Sequence, residues 1–149
     1  MALNIAKSPL IGPVLALNGW TFVMELWLYR KRIPAINRAA EQGKLKIDAS
    51  MTKADLDKAL PPHVRWPADN FAHLHEQPTL FYATTLSLVL LGADNPLNIR
   101  LAWGYVGLRV LHSLVQASVN KIMLRFSLFV ASSIVLAGMT ARATQAFLA

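Results

Sequence analysis

Residues 66–92 read WPADNFAHLHEQPTLFYATTLSLVLLG, and this stretch decides how the chain is read. From Pro78 onward it is almost entirely apolar and reaches deep into a bilayer if helical. Its first half carries Asp69, Asn70, His73, His75 and Glu76, groups that lipid penalises. A run that is apolar enough for a membrane yet polar at one end must turn that end toward protein or water. The question is what those polar groups meet.

Outward from this stretch lie three more apolar blocks, at residues 9–29, 97–119 and 122–148. The block at 97–119 is interrupted by Arg100, Arg109 and His112. A membrane-spanning helix needs about 20 residues, and each block meets that length. The expected fold class is therefore an all-α integral membrane protein in one domain, residues 1–149. Its four transmembrane helices cover about 9–30, 67–91, 97–118 and 121–147. Short outer turns between them favour an antiparallel four-helix bundle. The first block is read as an uncleaved span, because it runs through Trp20 and Trp27 to a basic stop at Arg30, Lys31 and Arg32.

Between spans one and two lies a loop of about residues 31–66. Pro34 is expected to kink a helix that runs on to about Glu41, with Gly43 as its stop. Thr52 and Asp55 form a capping-box pattern that opens a short surface helix, and Pro61 and Pro62 end it. Pro67 is expected to start span two.

The net charge of +7 is concentrated. Arg38, Lys44, Lys46, Lys53, Lys58 and Arg65 lie in the same loop as the basic stop, while Lys7, Arg100 and Arg142 are spread on the other side. This asymmetry places the loop in the cytoplasm and both termini outside. In a bacterial cell the membrane is then the inner, plasma membrane. Attraction to anionic lipid accounts for the charge without nucleic acid. The chain has no cysteine, which removes disulfides, thiolate metal sites and a cysteine nucleophile.

Helical spacing sorts the intramembrane polar groups. Asp69, His73 and Glu76 share a face of span two, and Arg109, His112 and Gln116 share a face of span three. Arg125 lies one turn inside span four. At 1.5 Å per residue, Glu76 and Arg109 both lie about 14 Å from the cytoplasmic ends of their spans. The equal depth predicts a Glu76–Arg109 ion pair. His73, His112, Gln116 and Arg125 gather above it, which predicts a cationic pocket open to the cytoplasm. Glu25, Glu76, Arg109 and Arg125 would together cost on the order of 10 kcal/mol if turned to lipid. A metal site built from His73, Glu76 and His112 is disfavoured by the two arginines beside it, so no metal is expected.

The runs HLHEQPTLFYA and AWGYVGLRVLHSLVQASVNKIMLRFSLF carry three elements in order: E-x-P-x-L-F-Y, R-x-x-H-S and N-x-x-x-x-R. In these the chain resembles the MAPEG family, the membrane-associated proteins of eicosanoid and glutathione metabolism, and its bacterial members most. The resemblance covers about residue 10 to the C-terminus. It implies a homotrimer with glutathione as cofactor, bound between subunits near the cytoplasmic leaflet. By position it assigns His73, Glu76, Arg109, His112 and Gln116 to glutathione binding and Arg125 to stabilising its thiolate. The implied activity is a glutathione transferase or peroxidase acting on lipophilic electrophiles or hydroperoxides. Partners are then membrane lipid, a lipophilic small molecule and further copies of the chain. Some positions depart from the family's enzymes. Asp69 and Ala72 replace arginines, and Phe126 and Phe129 replace a serine and a tyrosine. A relative that binds lipid without catalysis keeps a second function open, a non-catalytic lipid or hydrophobe binder. A third, a small proton-coupled exporter, would use Glu25.

Overall fold

A computed structural model describes residues 7–149; the first six residues of the one-domain reading lie outside them. Those residues form six α-helices and no strand: α1 (Ile11–Glu41), α2 (Lys53–Ala59), α3 (Pro62–His73), α4 (Gln77–Leu90), α5 (Pro96–Ser118) and α6 (Ile122–Leu148). The chain is all-α, as its composition and periodicity predict.

Helix α1 runs unbroken for 31 residues through Pro34. It stops where expected, at Gly43, whose φ of +66° lets the chain reverse and return amides to Ala40 and Ala39. Helix α2 opens on the expected capping box. Thr52 Oγ1 accepts from the Asp55 amide, and the Asp55 carboxylate accepts from the Thr52 amide at 2.9 Å. Hydrogen bonds from the Thr52 hydroxyl and amide hold the Asp55 carboxyl below its ordinary 3.8.

The second apolar stretch differs from expectation. It starts earlier, with Pro62 in the first turn of α3 and Pro67 inside the helix. It is also two helices, not one, because the run breaks between His73 and Gln77. Pro78 contributes to the break. It has no amide to give the Leu74 carbonyl, and its ring would strike that carbonyl in a continuous helix. The chain instead tightens, with His75 bonding back to Ala72 and Glu76 to His73, and restarts with Pro78 in the first turn of α4.

Gly92, at φ +64°, closes α4, and Asn95 caps α5 by accepting from the Asn98 amide at 3.1 Å. Asn120, at φ +49°, makes the tight turn into α6.

Helix α5 is the hub, packing on α1, α3 and α6, while α4 packs on α1 and α6. Its buried face carries Ala102, Tyr105, Val106, Arg109, His112, Ser113 and Gln116, a stripe at helical spacing. Tyr105 stacks on Phe81 of α4 with ring centroids 4.5 Å apart. Leu17 and Met24 of α1 and Met139 of α6 complete an apolar core with no solvent exposure. A second, separate core of Ala39, Leu45, Leu56, Leu60 and Val64 ties α2 to the ends of α1 and α3.

Two helices, α1 and α6, are long and apolar enough to cross a membrane, and only 22% and 17% of their most apolar windows are buried. Their large side chains point outward, Leu15, Phe22 and Leu26 from α1 and Ile134 and Phe147 from α6. The core helix of a soluble protein would bury them. Outward apolar faces of this extent fit a membrane setting.

Candidate functional site

Arg109 stands at the centre of the polar groups, 1% exposed. Its Nε donates to the Tyr105 hydroxyl at 3.1 Å, one of its Nη groups to the Gln77 side-chain oxygen, and the other lies 3.4 Å from His73 Nε2. The guanidinium also sits 5.3 Å from the centre of the Phe129 ring. Every one of these partners is neutral, or neutral in the tautomer the geometry selects.

The expected Glu76–Arg109 ion pair does not form. Glu76 bonds His73 Nδ1 at 2.7 Å instead, and its side chain is 66% exposed. The expected shared face presumes an unbroken helix. With the helix ending at His73, the backbone at Glu76 (φ −91°, ψ −97°) turns the carboxylate outward, and the next residue takes the place beside Arg109.

That residue, Gln77, had no role in the sequence reading. Its Nε2 donates to Ser133 of α6 at 2.7 Å, and its Oε1 accepts from Arg109, with Tyr105 and Ser132 hydroxyls 3.4 and 3.5 Å away. One amide thus joins α4, α5 and α6. Its position within the E-x-P element is the only sequence signal for it.

His73 links this network to open space. Nδ1 donates to the Glu76 carboxylate and Nε2 accepts from Arg109 in the one neutral tautomer that satisfies both contacts. Its ring centre lies 5.0 Å from that of His112 and 5.5 Å from that of Phe129. Beside these rings opens a recess of about 220 Å³, lined by His73, His112, Ile122, Arg125, Phe126 and Phe129.

Arg125 approaches the recess from the first turn of α6. One of its Nη groups donates to the Asn120 side-chain oxygen, while its Nε is buried without a partner. The N-x-x-x-x-R element is therefore a physical unit. The left-handed Asn120 that makes the turn also aims the arginine.

Of the six residues expected at a site, His73, His112 and Arg125 line one recess. Arg109 lies directly behind it, in contact with His73 and Phe129. Glu76 is held at its rim by His73. Gln116 is not among the lining residues. Its side-chain oxygen accepts from Asn70 of α3 at 2.9 Å inside the protein, so it fixes α3 to α5. Asn70, fully buried, was likewise missed. Glu25 stays apart and accepts from Tyr29 of its own helix at 3.2 Å. Asp69 and Ala72, on α3, are exposed.

The arrangement gathers two guanidinium groups near a small opening whose one nearby carboxylate is already engaged by a histidine. Anions gain there from charge and from unused donors. These features define an all-helical, membrane-type protein with a cationic, aromatic-lined recess. A model of the MAPEG family matches residues 10–144, nearly the whole chain, and the chain belongs to that family. No curated protein and no solved structure matches the chain.

Proposed function

We propose that this protein is a glutathione-dependent transferase or peroxidase of the membrane, with the recess at Arg125 as its thiol site. The observation that carries the reading is Arg125 itself. It is a guanidinium in the recess wall, aimed by Asn120, with a buried Nε that nothing in the described chain satisfies. Family membership supplies the class of chemistry.

Glutathione presents two carboxylates, an ammonium and a thiol. Arginine binds carboxylate in a fork and keeps its charge in poor solvent. A guanidinium beside a thiol also favours the thiolate. In a transferase reaction the thiolate sulfur bonds to the electrophilic carbon and the leaving group departs with its electron pair. The thiol proton leaves to water or to the exposed carboxylate of Glu76. Arg109 and His112 hold the polar end of the tripeptide in this reading.

The wider architecture follows. Helices α1, α3 with α4, α5 and α6 form four spans of an antiparallel bundle, with the basic residues 31–66 in the cytoplasm. Three copies assemble. Ile122 and Phe126, 73% and 60% exposed at the edge of the recess, are then covered by a neighbour that closes the site. Reporter fusions at Lys46 and at the C-terminus are expected on opposite sides of the membrane. Finding both on one side removes the four-span arrangement.

The test of function is calorimetric titration of glutathione into the detergent-solubilised protein, with thiolate absorbance followed against pH. Wild type is expected to bind and to lower the thiol pKa. Arg125→Ala is expected to keep its assembly and lose thiolate stabilisation, at a cost of about 2.7–4 kcal/mol in rate. Arg125→Lys keeps charge without the planar fork and is expected to be partly active. Equal thiol pKa values in wild type and Arg125→Ala remove Arg125 from catalysis. Absence of glutathione binding moves the protein to the second reading, a non-catalytic binder of lipophilic molecules. Phe126 and Phe129 in the recess wall favour that reading.

A further inference from the structure

A second recess, of about 330 Å³, shares no lining residue with the first and lies where the end of α1, the turn after it and the start of α3 meet. Its basic lining comes from three places in the chain: Arg38 on α1, Lys44 in the turn and His63 in the first turn of α3. Gln42 adds an amide, and Ala39 and Val64 form an apolar floor. No aspartate or glutamate lines it.

The recess is built by the fold. Gly43 reverses the chain, and the amides of Lys44 and Leu45 return to the Ala39 carbonyl at 2.9 and 3.2 Å. That turn brings Lys44 back beside the helix that carries Arg38. Leu45, Leu56, Leu60 and Val64 pack beneath it as the second apolar core and hold α3 in place. The first turn of α3, a helix of 12 residues, forms one wall and adds the positive end of its dipole.

Among the described residues, some basic residues of the same loop are paired, while Lys53 and Lys58 of α2 are not. Lys46 pairs with Asp48 at 2.8 Å, and Arg65 with Asp57 at 3.6 Å. Among the described residues, Arg38, Lys44 and His63 have neither an ion pair nor a side-chain hydrogen bond, yet they converge. Charges that served only to attract the membrane surface would have no need of a shared cavity with an apolar floor.

We propose that this recess binds a phosphate ester through its phosphate and the carbon stem next to it, the chemistry shared by an anionic phospholipid headgroup and a small soluble phosphomonoester. Arg38 forks onto two phosphate oxygens. Lys44 and His63 supply further donors, and the floor receives the glycerol or other stem. The site is independent of the glutathione reading.

The test uses the full-length protein purified in detergent with mixed phosphatidylglycerol and phosphatidylcholine, and weighs the lipid that stays bound by native mass spectrometry. Wild type is expected to retain phosphatidylglycerol in preference. The variant Arg38→Gln with Lys44→Gln is expected to lower that preference about thirtyfold, from the attraction each basic residue supplies. The control Lys53→Gln with Lys58→Gln removes the same charge from α2 and is expected to change it little. Arg38→Lys keeps charge, loses the fork and is expected to fall between. Glycerol 3-phosphate added to wild type separates the sources. Displacement of the lipid assigns the recess to soluble esters as well, and no displacement assigns it to the headgroup; both uphold a phosphate site. Equal losses in the recess variant and the control overturn the proposal, as does undiminished preference in the recess variant. Thermal unfolding of each variant in phosphatidylcholine alone confirms that it is folded.

Discussion

Two helical stretches of this chain carry a proline in their path, and the outcomes differ. Helix α1 passes through Pro34 as one helix of 31 residues, whereas the stretch from Pro62 to Leu90 stops at His73 and starts again at Gln77 ahead of Pro78. Both prolines remove one rung of the ladder and crowd the carbonyl four residues back. Their surroundings differ. Pro34 is exposed at the loop end of α1, past the basic stop. Pro78 is buried. There the chain tightens and restarts, with the Thr79 amide and hydroxyl both bonded at 3.2 and 2.6 Å to the carbonyl of Glu76, the residue that caps α4. A proline decides that a rung is lost. Burial alone does not end a helix, because Pro67 is buried inside the unbroken α3; what sets Pro78 apart is the restart at Gln77, whose side-chain amide is engaged by Arg109 and Ser133. The break, in turn, sends Glu76 outward and Gln77 inward, and so sets what surrounds Arg109.

The comparison can be broken first at Arg109. Arg109→Met keeps most of the volume and deletes the donors to Tyr105, Gln77 and His73. Charged hydrogen bonds of this kind contribute about 1.5–3 kcal/mol each. The variant is expected to lose about 3 kcal/mol or more in a detergent unfolding titration. A variant as stable as wild type would mean that polar contacts do not hold α4 in its restarted position.

Pro34→Ala comes next. An interior proline costs about 3 kcal/mol relative to alanine. Since α1 is already continuous, the variant is expected to gain stability, by about 1–3 kcal/mol. A loss would show that the ring packs or bends the helix to some purpose. Thr79→Val then removes one bond to the Glu76 carbonyl at the start of α4 and is expected to cost about 1 kcal/mol by the same titration. The smallest effect is expected from Pro78→Ala, within about 0.5 kcal/mol of wild type, because a first-turn proline carries no interior penalty. Amide exchange at residues 74–76 is expected to stay fast in this variant, since Gln77 holds the break from the far side. Slowed exchange there would mean that the proline alone divides the stretch.

Much of the molecule was legible along the chain. The apolar blocks announced helices, Gly43 announced the end of α1, and the Thr52–Asp55 spacing announced the cap on α2. His73, His112 and Arg125 were placed near one another because helical period and depth are properties of sequence spacing. The Glu76–Arg109 pair failed for an instructive reason. Depth is one coordinate, and the direction in which a side chain points is another. The second is carried forward only while the helix continues. Gln77 and Asn70 were invisible for a related reason. A neutral amide gains its role from partners on other helices, here Arg109, Ser133 and Gln116, and nothing in local spacing ranks one amide above another.

By itself, the sequence determined the all-helical class, the family, the concentration of positive charge in one loop and the presence of polar groups inside apolar runs. All of these follow from composition, period and short-range order along the chain. The tertiary structure alone decided that Arg109 is held by neutral groups, that Gln116 is engaged with Asn70, and that Arg38, Lys44 and His63 share a cavity. Each of these depends on how separate helices are rotated about their axes and where a turn points its side chains. Those angles are set by packing between segments distant in sequence, to which no local pattern is sensitive.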